Sequence, residues 1–302
     1  MEQLPSYFLK VLVLAYTPEV QINEATYRLC KVSMDILQHA LSIEEKYELL
    51  ISNYSDFEKE LLGVTSKLLI RPPQNYSDFF DDRVLLNRKL VNLLTSARLY
   101  ADQMIQHVEA CVPNLVNVEE TTKSYFTDEY DKNLSYQFME QLRNYVQHRG
   151  LPVHYVSMGM TRVEENGESL LEHRVDLKAV KSKLEDDKTF KKKILNQIDD
   201  EVDLIKTTRQ YIQSLSIIQR KIRVFTKESI DNARGNIQNM QDEYKKVYEE
   251  GLLGLNACYS ISNEITDRVP LVLEWDDIRI KLETRNGALI GLSSSYISNK
   301  IK

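Results

Sequence analysis

The chain has 302 residues, 42% of them hydrophobic and 28% charged, with only nine Gly and seven Pro. That balance excludes a disordered or collagen-like chain and fits a helix-rich globular one with one large core or two smaller ones. With 39 basic against 45 acidic side chains the net charge is −6, which argues against indiscriminate nucleic-acid binding, because such affinity comes from neutralised phosphates.

The N-terminal segment MEQLPSYFLKVLVLAYTPE is apolar in part. It carries Glu2 and lacks a basic start or a small-residue cleavage site, so it does not read as a secretion signal. No apolar run reaches the ~18–20 residues of a membrane helix, so a cytoplasmic protein with no membrane partner is expected. Cys30, Cys111 and Cys258 are odd in number, far apart and without C-x-x-C spacing; they are expected to be reduced core thiols, with no disulfide and no structural zinc.

Helical periodicity runs from about Glu24 to Leu68, with Leu29, Val32, Ile36, Leu37, Leu49 and Leu50 as its apolar positions. A break is predicted near Leu41-Ser42, where Ser42 and Glu45 have capping-box spacing. Arg71-Pro72-Pro73 ends the helical stretch. Asp78, Asp81 and Asp82 read as acids at the positive end of the next helix, not as a metal cluster. That helix runs to about Ala110, with Leu86, Leu90, Leu93, Ala97, Ala101, Met104 and Val108 on one face and Pro113 after its end. A further helix is predicted from Thr127-Asp128 to Gly150, carrying Tyr136, Phe138, Met139, Leu142 and Val146.

Two β-hairpins follow from Asn-Gly between β-rich runs. One joins 153–163 to 169–175 through Asn166-Gly167. The other joins the alternating Ile278, Ile280 and Leu282 to 288–292 through Asn286-Gly287. Each is marginal alone, so the two are expected to pair in one small sheet. Between them, about 187–250 reads as helical. Ile198, Ile205 and Ile212, like Thr208, Leu215 and Ile222, fall at heptad spacing, and a break near Thr226-Lys227 would fold the region into an antiparallel pair. The acids Asp199, Asp200, Glu201 and Asp203 read as a helix-face patch. The basic clusters Lys188, Lys191, Lys192, Lys193 and Arg220, Lys221, Arg223, Lys227 read as solvated faces or as grips on a substrate. The expected division is a helical region over 1–150 and the hairpins with their helices over 151–302, packed as one body.

The chemistry is concentrated in Arg143-Asn144-Tyr145-Val146-Gln147-His148, an R-N-x-x-x-H sequence at a helix end before Gly150 and Pro152. Between Glu140 and Glu164 there is no acid, while Arg143, His148, Arg149, His154 and Arg162 all fall there. This motif resembles the signature of HEPN domains, all-helical modules that include many metal-independent ribonucleases of toxin–antitoxin and phage-defence systems. The antitoxin-paired branch has a Tyr two residues after the His, where this chain has Gly150. The resemblance implies a mainly α fold, a helical bundle of HEPN type, with the two hairpins and a long antiparallel helical region added. It also implies an endoribonuclease with no cofactor, RNA as substrate, a homodimer with a composite cleft, and an antitoxin or defence-system partner.

RNA is cleaved without metal when its 2′-hydroxyl attacks the adjacent phosphate. His148 can transfer the protons and Arg143 can bind non-bridging oxygens; Asn144 can orient either of them. Tyr145 and Arg149 can stack on or contact substrate, and His154 is near enough in sequence to line the same cleft. On a regular helix, residues five apart point about 140° from each other and differ by ~7.5 Å along the axis. Arg143 and His148 therefore meet only if the helix ends before His148 or two protomers pool their motifs. The alternative reading is a non-catalytic helical scaffold that dimerises through the heptads. P-loop, H-E-x-x-H, G-x-S-x-G and G-x-G-x-x-G signatures are absent from the sequence.

Overall fold

The computed structural model describes residues 5–14, 16–165, 167–249 and 251–297. Glu2, Asn166 and Glu250, invoked above, lie outside them. The fold is mainly helical with two small antiparallel sheets. In chain order the elements are β1 (Pro5–Val11), β2 (Val20–Ile22), α1 (Glu24–Ile70), α2 (Tyr76–Cys111), α3 (Val118–Lys132) and α4 (Leu134–His148). They continue as β3 (Tyr155–Glu165), β4 (Glu168–Val180), α5 (Lys181–Glu185), α6 (Lys192–Leu195), β5 (Glu201–Asp203), α7 (Leu204–Lys245), β6 (Leu255–Ile261), β7 (Glu264–Pro270) and α8 (Glu274–Arg285). The chain forms two compact units. One comprises Met1–Glu45, Gln103–Thr122 and Lys221–Gly287; the other comprises Lys46–Asp102, Lys123–Arg220 and Ala288–Lys302.

The first unit contains the four-stranded sheet, in the order β2-β1-β6-β7. β1 is an interior strand, pairing antiparallel with both neighbours, and Tyr7 lies opposite Tyr259. β6 turns into β7 through Ser262 and Asn263, both with positive φ, as a tight right-twisted hairpin requires. Fully buried Tyr244 of α7 ties this sheet down: its hydroxyl accepts from the Val11 amide at 3.1 Å and donates to the Pro18 carbonyl at 3.0 Å. The parts of α1 and α2 in this unit run antiparallel, since Cys111 Sγ donates to the Ile36 carbonyl and His39 meets His107. All three cysteines are free and buried, and burial pushes their thiols up to about 11 for Cys30 and Cys258 and about 12 for Cys111.

In the second unit α1 and α2 again run antiparallel, held by ion pairs from Lys89 to Asp56 and from Lys67 to the buried Asp82. The start of α7 is enclosed: Tyr211, Ile212, Leu215 and Ile218 have no exposed surface. Asn133 caps α4, its side chain accepting from the amides of Ser135 and Tyr136. The long β3–β4 hairpin turns at Gly167, with φ of 83°, and β5 adds to its edge.

Several expectations are corrected. α1 is continuous through Leu41-Ser42, and Ser42 Oγ bonds back to the Gln38 carbonyl instead of starting a helix. Leu29, Val32 and Leu49 are exposed; the buried stripe of α1 is Tyr27, Cys30, Ile36, Leu37, Ala40, Ile43, Tyr47 and Leu50. The helix expected from Thr127 to Gly150 is two helices, separated by Asn133. α7 passes unbroken through Thr226-Lys227 because Thr226, buried, bonds its hydroxyl to the Ile222 carbonyl. Ile198 lies outside α7, while Thr208, Ile212, Leu215 and Ile222 are covered by this same chain.

The C-terminal hairpin is absent: Ile278, Ile280 and Leu282 belong to α8, where Asp276, Arg279 and Leu282 share the buried face at a spacing of three. The first hairpin therefore pairs with β5, not with a second hairpin. The acids Glu201 and Asp203 lie on β5, and Asp203 caps α7 by accepting from the Ile205 and Lys206 amides. Among the described residues no group of three or more His, Cys, Asp or Glu is disposed to hold a metal. No described helix is long and apolar enough to cross a membrane.

Candidate functional site

α4 carries the motif, and Arg143, Asn144, Tyr145, His148, Arg149 and His154 all lie in the second unit. The helix buries Tyr136, Phe138, Met139 and Leu142, and its polar residues divide accordingly. Glu140 and Arg143, three apart, both point inward and form an ion pair, with Arg143 Nη1 2.8 Å from Glu140 Oε2. The second Glu140 oxygen accepts from the Tyr211 hydroxyl at 2.6 Å. Tyr211 is wholly buried, and burial together with the Glu140 charge raises its phenol well above its ordinary range. Tyr136 stacks obliquely on Tyr211 with ring centroids 5.1 Å apart, and its phenol is likewise raised, mainly by burial.

The Arg143 side chain is only 7% exposed. Its Nη2 donates to Asn144 Oδ1 at 3.0 Å, while its buried Nε–H has no acceptor among the described residues. Arg143 is thus a structural cation whose charge is balanced inside the unit. Toward the helix surface it contacts Asn144.

His148 is the last residue of α4 and is exposed. The helix does not end before it, so on this chain alone Arg143 and His148 diverge by the helical angle of about 140°. Asn144 and His148, four apart, share a helix face instead. The structure thus joins Arg143 to Asn144, and helical spacing puts Asn144 and His148 on one face. It does not join Arg143 to His148.

The C-terminus of α4 is built from Tyr145, Arg149, Gly150 and His154. The Tyr145 carbonyl accepts from the amides of Arg149 and Gly150 at 2.8 and 3.3 Å. The Tyr145 ring covers Gly150 so closely that a Cβ there would lie 2.9 Å from its hydroxyl, so any larger residue would displace the ring. The Tyr145 ring also meets His154 in a T-shaped contact, centroids 5.6 Å apart. His154 has its own structural role: its amide donates to the Lys178 carbonyl, and its Nδ1 accepts from the Val180 amide at 2.9 Å, anchoring the base of the hairpin. Burial, with Lys183 adding to it, lowers the His154 pKa. Arg149 pairs with Asp187, whose carboxyl is held below its usual range first by the Thr189 amide it accepts from.

Two of the cations in the acid-free interval between Glu140 and Glu164 are therefore neutralised in space. Glu140 balances Arg143 and Asp187 balances Arg149. The spacing of Glu140 and Arg143 is an i,i+3 pair that can be read in the sequence; Tyr211 and Asp187, 71 and 38 positions from their partners, give no local signal. A cavity of ≈ 300 Å³ opens at the opposite, N-terminal end of α4, lined by Ser135, Asp199, Glu201, Asp203 and Lys206 among others. Its three carboxylates against one lysine make it a poor seat for a polyanion. The chain matches no protein-family model, no curated protein and no solved structure.

Proposed function

We propose that the C-terminal end of α4 is an RNA-cleaving site of HEPN type, in which His148 is the catalytic residue and Arg143 a positioning residue acting through Asn144. The observation that carries this reading is the polar chain from Glu140 through Arg143 to Asn144, which fixes the Asn144 amide on the helix face that ends in exposed His148. The reaction is attack of a 2′-hydroxyl on the adjacent phosphorus. The 2′-O–P bond forms, the P–O5′ bond breaks, and products carry a 2′,3′-cyclic phosphate and a 5′-hydroxyl. His148 takes the 2′-hydroxyl proton or returns one to the leaving oxygen, and Asn144 holds a non-bridging oxygen or the imidazole. One histidine serves one of these two transfers. A second copy of the chain supplies the other, so the active form is a two-fold dimer joined near the end of α4.

A second reading has an observation of its own. Burial of Arg143 against Glu140 and Tyr211 is what a helix stabilised from within requires, with no chemistry attached. In that reading the chain is a non-catalytic helical module. The heptad positions Thr208, Leu215 and Ile222 are already covered within the chain, so assembly would use another surface.

Cleavage of a mixed RNA pool in EDTA separates the two. The nuclease reading expects cyclic-phosphate ends from the wild type and a loss of about 10²–10⁴-fold in His148→Ala. Arg143→Ala alone is ambiguous, because an uncompensated buried Glu140 costs about 3–5 kcal/mol of stability. The double variant Glu140→Gln/Arg143→Met removes both charges and releases Asn144. It should stay folded and lose cleavage by tenfold or more, with an unchanged midpoint in its pH–rate profile, because His148 is retained. Wild-type RNA left intact, with a chain that is folded by circular dichroism, overturns the nuclease and leaves the helical module.

A further inference from the structure

In the second unit, β3 is the outer strand of its sheet, paired among the described residues to β4 and to no other strand. An open edge offers a row of backbone donors and acceptors, and proteins usually blunt it with Lys, Pro or a bulge. β3 has none of these. Residues 155–161, Tyr-Val-Ser-Met-Gly-Met-Thr, are uncharged, and the pairing with β4 stays in register from Tyr155 opposite Lys178 to Glu165 opposite Glu168. β5 covers β4 at Lys178–Val180, the base of the hairpin. Beyond that base the hairpin is a two-stranded ribbon, which is marginal by itself.

The side chains show where this ribbon is unfinished. Val156, Met158, Met160 and Arg162 share one face with Leu171, His173, Val175 and Leu177. The base of that face is covered, with Val156, Val175 and Leu177 buried; farther out Met160 is 67% exposed and Leu171 58%. One apolar stripe therefore runs from the core into solvent. Gly159 lies inside the uncharged run. Apart from its chain neighbours, a Cβ there would first meet Arg174 Nε, at 3.9 Å, so crowding within the chain does not demand glycine. A glycine inside a strand weakens it, and such positions often mark a place where another backbone comes close.

We propose that β3 pairs edge to edge, antiparallel, with β3 of a second copy of this chain, with the two-fold axis at Gly159. This contact does not rest on the nuclease reading. A two-fold contact must be self-complementary, and this register is. Ser157 falls opposite the partner's Thr161, Met158 opposite the partner's Met160, and Tyr155 opposite the partner's Val163. These are hydroxyl, thioether and aromatic-on-β-branched pairs, of the kind that stabilise a sheet. Arg162, the one charged residue in 155–163, falls opposite the partner's Val156, so no like charges meet. An axis at Arg162 would instead set two guanidinium groups against each other. Exposed Met160 gains the partner's Met158 beside it, and the apolar stripe continues across the axis. The two sheets become one antiparallel sheet in the order β5-β4-β3-β3-β4-β5, and neither β3 remains an edge.

Analytical ultracentrifugation of the full chain, with oxidative cross-linking of two cysteine variants, tests the pairing. The expected mass is twice that of the 35.2 kDa chain. Met160→Lys puts a charge into the contact at a position already exposed in the single chain, so it should fold normally and raise the dissociation constant about tenfold or more. Gly159→Cys reads the register. Residues directly opposite in an antiparallel pair have Cα atoms about 4.5–5.5 Å apart, within disulfide reach, so mild oxidation should join two copies through position 159. Arg162→Cys should not join them, because its two copies lie six residues apart along the strands, about 20 Å. The native cysteines are buried, so linkage reports the introduced thiol. A monomer at every concentration, a dimer indifferent to Met160→Lys, or linkage as fast at 162 as at 159 overturns the pairing.

Discussion

Arg143, His148 and His154 would look alike in a list of candidate active-site residues, and burial separates them. Arg143 is enclosed and balanced, His148 is exposed at a helix end, and His154 is a hairpin anchor whose Nδ1 is already engaged. The pH dependence of stability follows for His154. Its folded-state pKa is lowered from 6.5, so as pH falls through that value the unfolded chain takes up the proton more readily than the folded one. Its contribution is complete above about pH 6.5 and is lost progressively below it. Urea midpoints for the wild type should therefore drop between pH 7.5 and 5.0, and the drop should be smaller in His154→Phe, which keeps a ring against Tyr145 but cannot titrate. An identical drop in both would assign the acid sensitivity to other groups.

Among the elements, α4 shows most clearly how local chemistry places the site. It is separated from α3 only by Asn133, whose side chain caps the Ser135 and Tyr136 amides and also donates to Ser214 Oγ on α7 at 3.0 Å. Asn133→Ala removes the cap and the tie together. The expected cost is about 1–2 kcal/mol, read from the midpoint of chemical unfolding, with Asn133→Asp recovering the cap alone. No measurable change would mean that α3 and α4 continue through this position without a cap. The long helices make the opposite point. Ser42 and Thr226, the two places where a break was expected, are accommodated inside helices because each hydroxyl bonds to a carbonyl four residues back. Alternation in Ile278, Ile280 and Leu282 misled for a related reason. α8 buries a narrow stripe that includes Asp276 and Arg279, which satisfy each other as an ion pair, so its buried face is polar in part and hidden from a count of apolar residues.

Across the whole molecule, the three thiols report on the first unit, where all of them lie. With their pKa values raised from 9.0 to about 11 or 12, the thiolate fraction at pH 8 falls by at least about 10²-fold, and burial blocks access as well. Labelling with a thiol reagent should be slow in the native protein and should speed up for all three together on addition of urea. Fast native labelling of one alone would place that cysteine in a locally opening segment. What the sequence determined by itself is whatever depends on nearest neighbours along the chain. The helical character of 24–70, though not its continuity, the helix around Tyr76–Cys111, the hairpin at Gly167, the buried free cysteines and the R-N-x-x-x-H motif at the end of a helix all follow from spacing, turn chemistry and composition. Only the tertiary structure decided what lies across space. β1 becomes an interior strand of a sheet because β6, some 250 residues later, pairs with it. Asp187 neutralises Arg149, Tyr211 completes the Glu140–Arg143 pair, and His39 finds His107. A charge or an imidazole acquires its role from the partner that folding brings within about 3 Å, and that distance is not encoded in the local order of residues.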